Sequence, residues 1–209
     1  KDLPNRRLGV EVQIITNMET NLILQNIAKH IQLTPEEQAH FLAMLKPKAL
    51  KRREMHLQEG EICRNSTFVV RGCLRSYNLD KNGFEHVLSF APPGWWIADM
   101  YSFFSQKPAT LFIEAMEPSE VLLLSKEDQE RLYEDIPKFE RFFRIIIEKS
   151  LVSSQQRLLD KLSLPAQERY RNFCEKYPSL VNCLPRKQIA SYIGVTPEFF
   201  SKMIKEMNK

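Results

Sequence analysis

Between Pro137 and Pro165 the chain contains neither proline nor glycine. From Lys138 to Leu162 it carries Phe139, Phe142, Phe143, Ile145, Ile146, Ile147, Leu151, Val152, Leu158, Leu159 and Leu162. No residue in that stretch breaks a helix, so the spacing predicts one long helix. Its N-terminal half is apolar over more than one face. One stripe can cover a neighbouring domain, and the surplus asks for another partner, which a two-fold copy of the same helix would supply. Phe139, Phe142, Phe143, Ile146 and Ile147 are therefore the candidate dimer contacts. The competing reading is a helix buried within its own chain.

Before this helix the apolar pattern changes twice. Residues 1–17 show no clear period and read as an arm or a cloning remnant, with Met18 as the natural start. Met18 to Ile31 carries Leu22, Ile23, Ile27 and Ile31 at helical spacing. Thr34-Pro-Glu-Glu37 sets a capping box ahead of Phe41, Leu42 and Leu45, and Pro47 closes that helix. From Lys48 to Ser125 short runs such as Phe68-Val-Val, Cys73-Leu-Arg-Ser-Tyr and His86-Val-Leu-Ser-Phe alternate with turn residues. Asn82-Gly83 predicts a type I′ hairpin turn, because both residues tolerate positive φ. Six to eight such strands predict an antiparallel barrel or jelly roll. Ala91 to Phe104 interrupts them as a loop and a turn or two of helix. Phe112 to Met116 and Val121 to Leu124 resume them, and Ser125 then caps a helix that Pro137 ends.

After the long helix, Ser163-Leu-Pro165 reads as a hinge. Ala166 to Lys176 is a helix with Tyr170 and Phe173 inward and Arg169 and Lys176 outward. The segment from Arg186 to Met207 then forms two short helices around Gly194. Ile189, Ala190 and Ile193 recur at helical spacing, and Gly194 permits the left-handed conformation usual past a helix end. Thr196 caps the second helix, with Pro197 at its first position and Glu198 in its first turn. Phe200, Ile204 and Met207, with Met203 at the edge, form the packed stripe and leave Glu198, Ser201, Lys202 and Lys205 on another face. Such a pair suggests a helix-turn-helix whose second helix enters the major groove of DNA, against the plainer reading of a helical hairpin with a solvated face.

Charge favours the first of these. From Ser163 onward eight cations face four carboxylates, and that surplus equals the formal +4 of the whole chain. The positive field lies where phosphate contact would need it. No apolar run reaches the length of a membrane span and no signal-peptide pattern is visible, so a cytoplasmic protein is expected. Cys63, Cys73, Cys174 and Cys183 and the four histidines form no ligand spacing, so no metal or cofactor is expected and the thiols are expected reduced. No local catalytic signature is present, so the chain is not read as an enzyme.

The order of parts over Met18 to Met207, and above all Gln188-Ile-Ala-Ser-Tyr-Ile-Gly-Val-Thr-Pro-Glu and Phe139-Glu-Arg-Phe-Phe-Arg, resembles the Crp/Fnr family of bacterial transcription regulators. The resemblance implies an α+β architecture: an N-terminal jelly-roll domain like a cyclic nucleotide-binding domain (18–137), a dimerisation helix (138–162) and a C-terminal all-α helix-turn-helix domain (163–209). It implies a homodimer on a palindromic double-stranded site, a small-molecule effector, and RNA polymerase as a further partner. Relatives that bind cyclic AMP carry a glycine-glutamate pair and an arginine. Here the pair falls on Ala98-Asp99, the arginine position falls near Ala109-Thr110, and no arginine occurs between Arg75 and Arg131. The phosphate would lack its counter-charge, so an effector other than cyclic AMP is expected. Trp95, Trp96, Asp99, Met100, Tyr101, Ala109 and Thr110 are the candidate pocket, unless its aromatic residues are simply core.

For DNA the resemblance implies base contacts from Glu198 and Lys202, a sugar or methyl contact from Phe199, and phosphate contacts from Thr196, Ser201, Lys205, Arg186 and Lys187. Pro197 stands where relatives often have arginine, so their target cannot be transferred. The residues after Met207 leave no length for the β-hairpin wing of better-known relatives. The alternative function is a ligand- or protein-binding module of the same fold that does not read DNA.

Overall fold

The computed structural model describes residues 20–207. The expected arm or remnant over residues 1–17 lies outside the described residues. Two helices, α1 (residues 20–28) and α2 (Pro35–Met44), precede the strands. Thr34 and Glu37 make both halves of the capping box at the start of α2. The strands are β1 (Lys46–Leu50), β2 (Met55–Leu57), β3 (Asn65–Arg71), β4 (Leu74–Leu79), β5 (Glu85–Ala91), β6 (Trp96–Ile97), β7 (Phe112–Ala115) and β8 (Ser119–Ser125), with α3 (Met100–Ser105) between β6 and β7. They form two antiparallel four-stranded sheets, ordered β1-β8-β3-β6 and β2-β7-β4-β5, in the expected jelly-roll style. Five helices follow: α4 (Lys126–Asp135), α5 (Lys138–Ser163), α6 (Ala166–Lys176) and the pair α7 (Arg186–Ile193) and α8 (Pro197–Met207).

The two sheets share one core and each has a second. Because side chains alternate across a strand, Val69, Leu74, Ile113 and Val121 meet between the sheets, while Phe68, Leu122 and Leu124 point the other way. On that outer face they meet Ile23, Ile27, Phe41, Leu132, Phe139, Phe142 and Phe143 from α1, α2, α4 and α5. The outer face of the other sheet carries Tyr77, Val87 and Phe90, which pack against Phe173, Tyr177, Ile189, Tyr192 and Ile193. Coverage on both faces explains apolar runs such as Val121-Leu-Leu-Leu124, which do not alternate.

Four expectations need correction. The hairpin between β4 and β5 is not a type I′ turn: Gly83 has φ +79°, but Asn82 is not among the positive-φ residues. The Asp80 carboxylate accepts from the N–H groups of both Asn82 and Phe84 and holds a wider loop instead. Phe139, Phe142 and Phe143 are buried in their own chain's core, where Phe41 stacks on Phe139 at 4.8 Å, so they are not free for a second copy. Ile146 and Ile147 are half-buried, and the exposed apolar residues of α5 lie further along, at Leu151, Val152, Leu158, Leu159 and Leu162. Met203 is central to the packed face of α8 and not at its edge. Arg169 and Lys176 do not point outward: both are half-buried between α5 and α6, and Lys176 donates to the Ser153 hydroxyl.

The C-terminal helices are fastened to the sheet by polar groups as well as by rings. Arg75 of β4, only 4% exposed, donates to Glu114 at 2.7 Å, to Glu85 at 2.6 Å and to the side-chain Oε1 of Gln188 in α7. Ser191 donates to the Glu85 carbonyl at 2.6 Å and accepts from Val87 N–H at 2.9 Å. Arg157 of α5 donates to the carbonyls of Val87, Leu88 and Tyr192, tying helix, strand and α7 together. Burial opposes the charge of Arg75, but its hydrogen bonds to the Glu85 and Glu114 carboxylates outweigh this and raise its pKa.

Two substitutions check this arrangement by urea unfolding. Phe142→Ala empties a fully buried site and is expected to cost about 3–5 kcal/mol; a loss under about 1 kcal/mol would contradict the burial. Arg75→Ala leaves Glu114 buried without its cation and is expected to cost about 3–5 kcal/mol. A neutral effect would mean that the Arg75 cluster does not hold the domains together.

Candidate functional site

Gly194 adopts φ +75° and ψ 45° and ends α7, with its N–H on the carbonyls of Ala190 and Ser191. Val195 N–H then reaches back to Ala190 O at 3.0 Å, closing the turn. Thr196 Oγ1 accepts from Phe199 N–H at 3.2 Å and starts α8 as the sequence predicts. Phe200 and Met203 anchor α8 against Tyr170 and the rest of the C-terminal core, with Tyr170 edge-on to Phe200 at 5.3 Å. The opposite face carries Glu198, Phe199, Lys202 and Lys205, all exposed, Phe199 by 52%. Pro197 is exposed at the first position, and Ser201 is half-buried and donates to the Pro197 carbonyl. Arg186 and Lys187 are exposed at the first turn of α7.

Among the described residues, none of Arg186, Lys187, Lys202 and Lys205 is within ion-pair distance of a carboxylate. The nine residues expected at a nucleic acid thus lie on α7, the turn and α8, with their cations uncommitted. The protein covers one face of α8 and leaves the other open.

The seven residues expected at an effector pocket are not gathered in one place. Asp99 is buried and committed: Oδ1 accepts from Ser102 N–H at 3.1 Å as the cap of α3, and Oδ2 accepts from Thr110 N–H at 2.9 Å and Leu111 N–H at 3.1 Å. It staples the segment carrying Ala109 and Thr110 to α3. Ala109 is buried, while Met100 and Tyr101 are exposed on α3. The two tryptophans meet different parts of the chain. Trp96 meets Phe68, Phe142 and Phe143, at 5.4 Å from the last, so it belongs to the core under α5. Trp95 lies 5.3 Å from Tyr177, just past the end of α6. Adjacent residues of one loop therefore touch the long helix and the C-terminal domain.

Several residues that bind the parts together were missed in the sequence. Arg75 is the one charged residue of β4, which is a signal, but its partners Glu85, Glu114 and Gln188 lie on three other elements. Arg157 looks like one more helical cation. It lies over the Tyr192 ring at 4.2 Å, and burial lowers its pKa. No spacing in the chain foretells either arrangement.

No helix among the described residues is long and apolar enough to cross a membrane. The sequence pattern of the cyclic nucleotide-binding domain matches residues 47–135. The chain is similar to the anaerobic regulatory protein of Haemophilus influenzae, with 23% identity over 159 residues, covering 69% of this chain and 60% of that protein. It thus spans about 60% of the length of that curated relative. Among solved structures it is similar to FixK2 from Bradyrhizobium japonicum, with TM-score 0.69, 21% identity, and coverage of 78% of this chain and 84% of that one. A transcriptional regulator of the Crp/Fnr family from Eubacterium rectale superposes with TM-score 0.64, 16% identity, and 84% of each chain covered. The cyclic nucleotide-binding pattern thus falls on the jelly roll and α4, and with these solved structures superposing over 78% and 84% of its length the chain has the fold of the Crp/Fnr family.

Proposed function

We propose that the chain is a homodimeric, sequence-specific DNA-binding regulator of the Crp/Fnr type, controlled by an effector other than cyclic AMP. The observation that carries this reading is the open face of α8. Its cations are unpaired, its other face is anchored by Phe200 and Met203, and a glycine turn fixes it to α7. A helix held in that way inserts into a major groove without having to unpack. Glu198 and Lys202 read base edges, Phe199 meets a sugar or a thymine methyl, and Thr196, Ser201, Lys205, Arg186 and Lys187 hold phosphates. Pro197 contributes backbone shape in place of a base contact.

Pairing is assigned to the outer stripe of α5. With Phe139, Phe142 and Phe143 inside the chain, the residues left for a two-fold mate are Ile147, Leu151, Leu158 and Leu162, spaced at four, seven and four residues on one side of the helix. Such a seam sets two α8 helices side by side for the two halves of a palindrome.

Two features support an effector other than cyclic AMP. The Asp99 carboxylate is occupied by three backbone N–H groups and is not free for a ribose hydroxyl. Arg75, the last arginine before Arg131, is turned onto Glu85, Glu114 and Gln188 and is not available to a phosphate.

Selection of bound genomic fragments gives the target, and anisotropy titrations on it test the roles. Lys202→Ala is expected to cost about 1–3 kcal/mol on the target and to relax base preference, whereas Lys205→Ala weakens all sequences alike. An equal loss of target and random binding for Lys202→Ala would remove it from base reading. No enriched fragment at all would favour a binding module that does not read DNA. For the seam, sedimentation is expected to show a dimer for the wild type and a monomer for Leu158→Glu, with specific DNA binding lost. A Leu158→Glu dimer would place the interface elsewhere.

A further inference from the structure

A groove of about 760 Å³ runs along α5 from Ile145 to Lys161, between it and the helices α6 and α7. That volume is within the range of small-molecule sites. It lies apart from the loop around Asp99, and the stripe of Ile147, Leu151, Leu158 and Leu162 is on another side of α5.

Five cationic side chains line it: Lys149, Arg157, Lys161, Arg169 and Lys176. Among the described residues none of them has a carboxylate within ion-pair distance. Arg157 spends its guanidinium on backbone carbonyls. The Nε of Arg169 is buried and has no hydrogen-bond partner. Burial, and then the charge of Arg157, lowers the pKa of Lys176, as expected for a cation held beside others without an anion. The acids along the groove do not answer this charge. Glu148 is paired with Arg144, Glu175 is solvent-exposed, and Asp160 accepts from Gln156 at 2.8 Å and Asn172 at 2.9 Å.

Lys161 and Arg169 mark one end of the groove, since a Cβ built on Gly194 would meet Lys161 Cε at 3.3 Å and Arg169 Nη1 at 3.4 Å. Both therefore flank the turn between α7 and α8. Lys176 lies about 10 Å along α6 from Arg169, and the Asp160, Gln156 and Asn172 side chains lie between the two ends. Cations at the end and a hydrogen-bonding carboxylate and amides in the middle match a phosphate ester on a hydroxylated framework.

We propose that this groove is a second small-molecule site, which takes a phosphorylated compound of sugar-phosphate or nucleotide size with its phosphate on Lys161 and Arg169. The proposal does not depend on DNA binding. A ligand there bridges the long helix, α6 and the turn before α8, so it acts directly on the junction that sets the position of α8.

The test is calorimetric titration of the full chain with inorganic phosphate, ribose 5-phosphate and adenosine 5′-monophosphate. Saturable binding is expected for the two esters and tighter than for inorganic phosphate. Binding is expected to weaken by roughly tenfold or more in Arg169→Gln and in Lys161→Gln, the loss that follows from removing one charged hydrogen bond. Lys81→Gln, on the exposed β4–β5 turn, removes the same charge away from the groove and is expected to leave binding unchanged. Thermal melting establishes that each variant is folded. A nucleotide that binds more tightly than ribose 5-phosphate identifies the nucleotide class, and equal binding identifies sugar phosphates. No saturation with either ester, or saturation that Arg169→Gln leaves intact, would overturn the site.

Discussion

The structure depends on the burial of both outer faces of a two-sheet sandwich by helices. An antiparallel sheet can leave one face in water, yet here neither does. The β1-β8-β3-β6 sheet is closed by α1, α2, α4 and the first half of α5, and the β4–β5 face is closed by α6 and α7. Phe90 sits at the centre of the second contact, with Tyr192 at 5.7 Å, Tyr177 at 5.8 Å and Phe173 at 6.2 Å. The domain that carries α8 is thus part of the hydrophobic closure of the sandwich. The β4–β5 strands touch α7 through packed rings and through Arg75.

Much of this was legible in the residues, for identifiable reasons. Thr34 with Glu37, Ser125, and Gly194 followed by Thr196 and Pro197 act through local backbone geometry, which needs no knowledge of distant partners. The jelly roll was visible because strand spacing and turn residues are local too. What periodicity cannot supply is the identity of the surface that an apolar face meets. Phe139, Phe142 and Phe143 looked available to a second copy because their spacing is equally suited to their own chain's sheet. Arg169 and Lys176 looked solvent-facing because a lone cation on an amphipathic helix usually is, and α5, which packs beside them, is a separate element in the sequence.

The loop before α3 illustrates the same limit. Trp95 and Trp96 are neighbours in sequence, so a shared pocket was the simple expectation. Trp95 precedes β6 and meets Tyr177, whereas Trp96 opens β6 and meets Phe143. That separation couples one short segment to two helical bodies. Asp99, meanwhile, fixes α3 to Thr110 and Leu111. A ligand that disturbs this loop would be felt at α5 and at α6 together.

The central claim is that two copies of α8 read one duplex as a symmetric pair. Hydroxyl-radical footprinting of the full chain on a selected genomic fragment tests it most directly. The account predicts two protected segments related by a dyad, with centres about 10 base pairs apart, one turn of the double helix. A single protected segment, or protection without dyad symmetry, would contradict it.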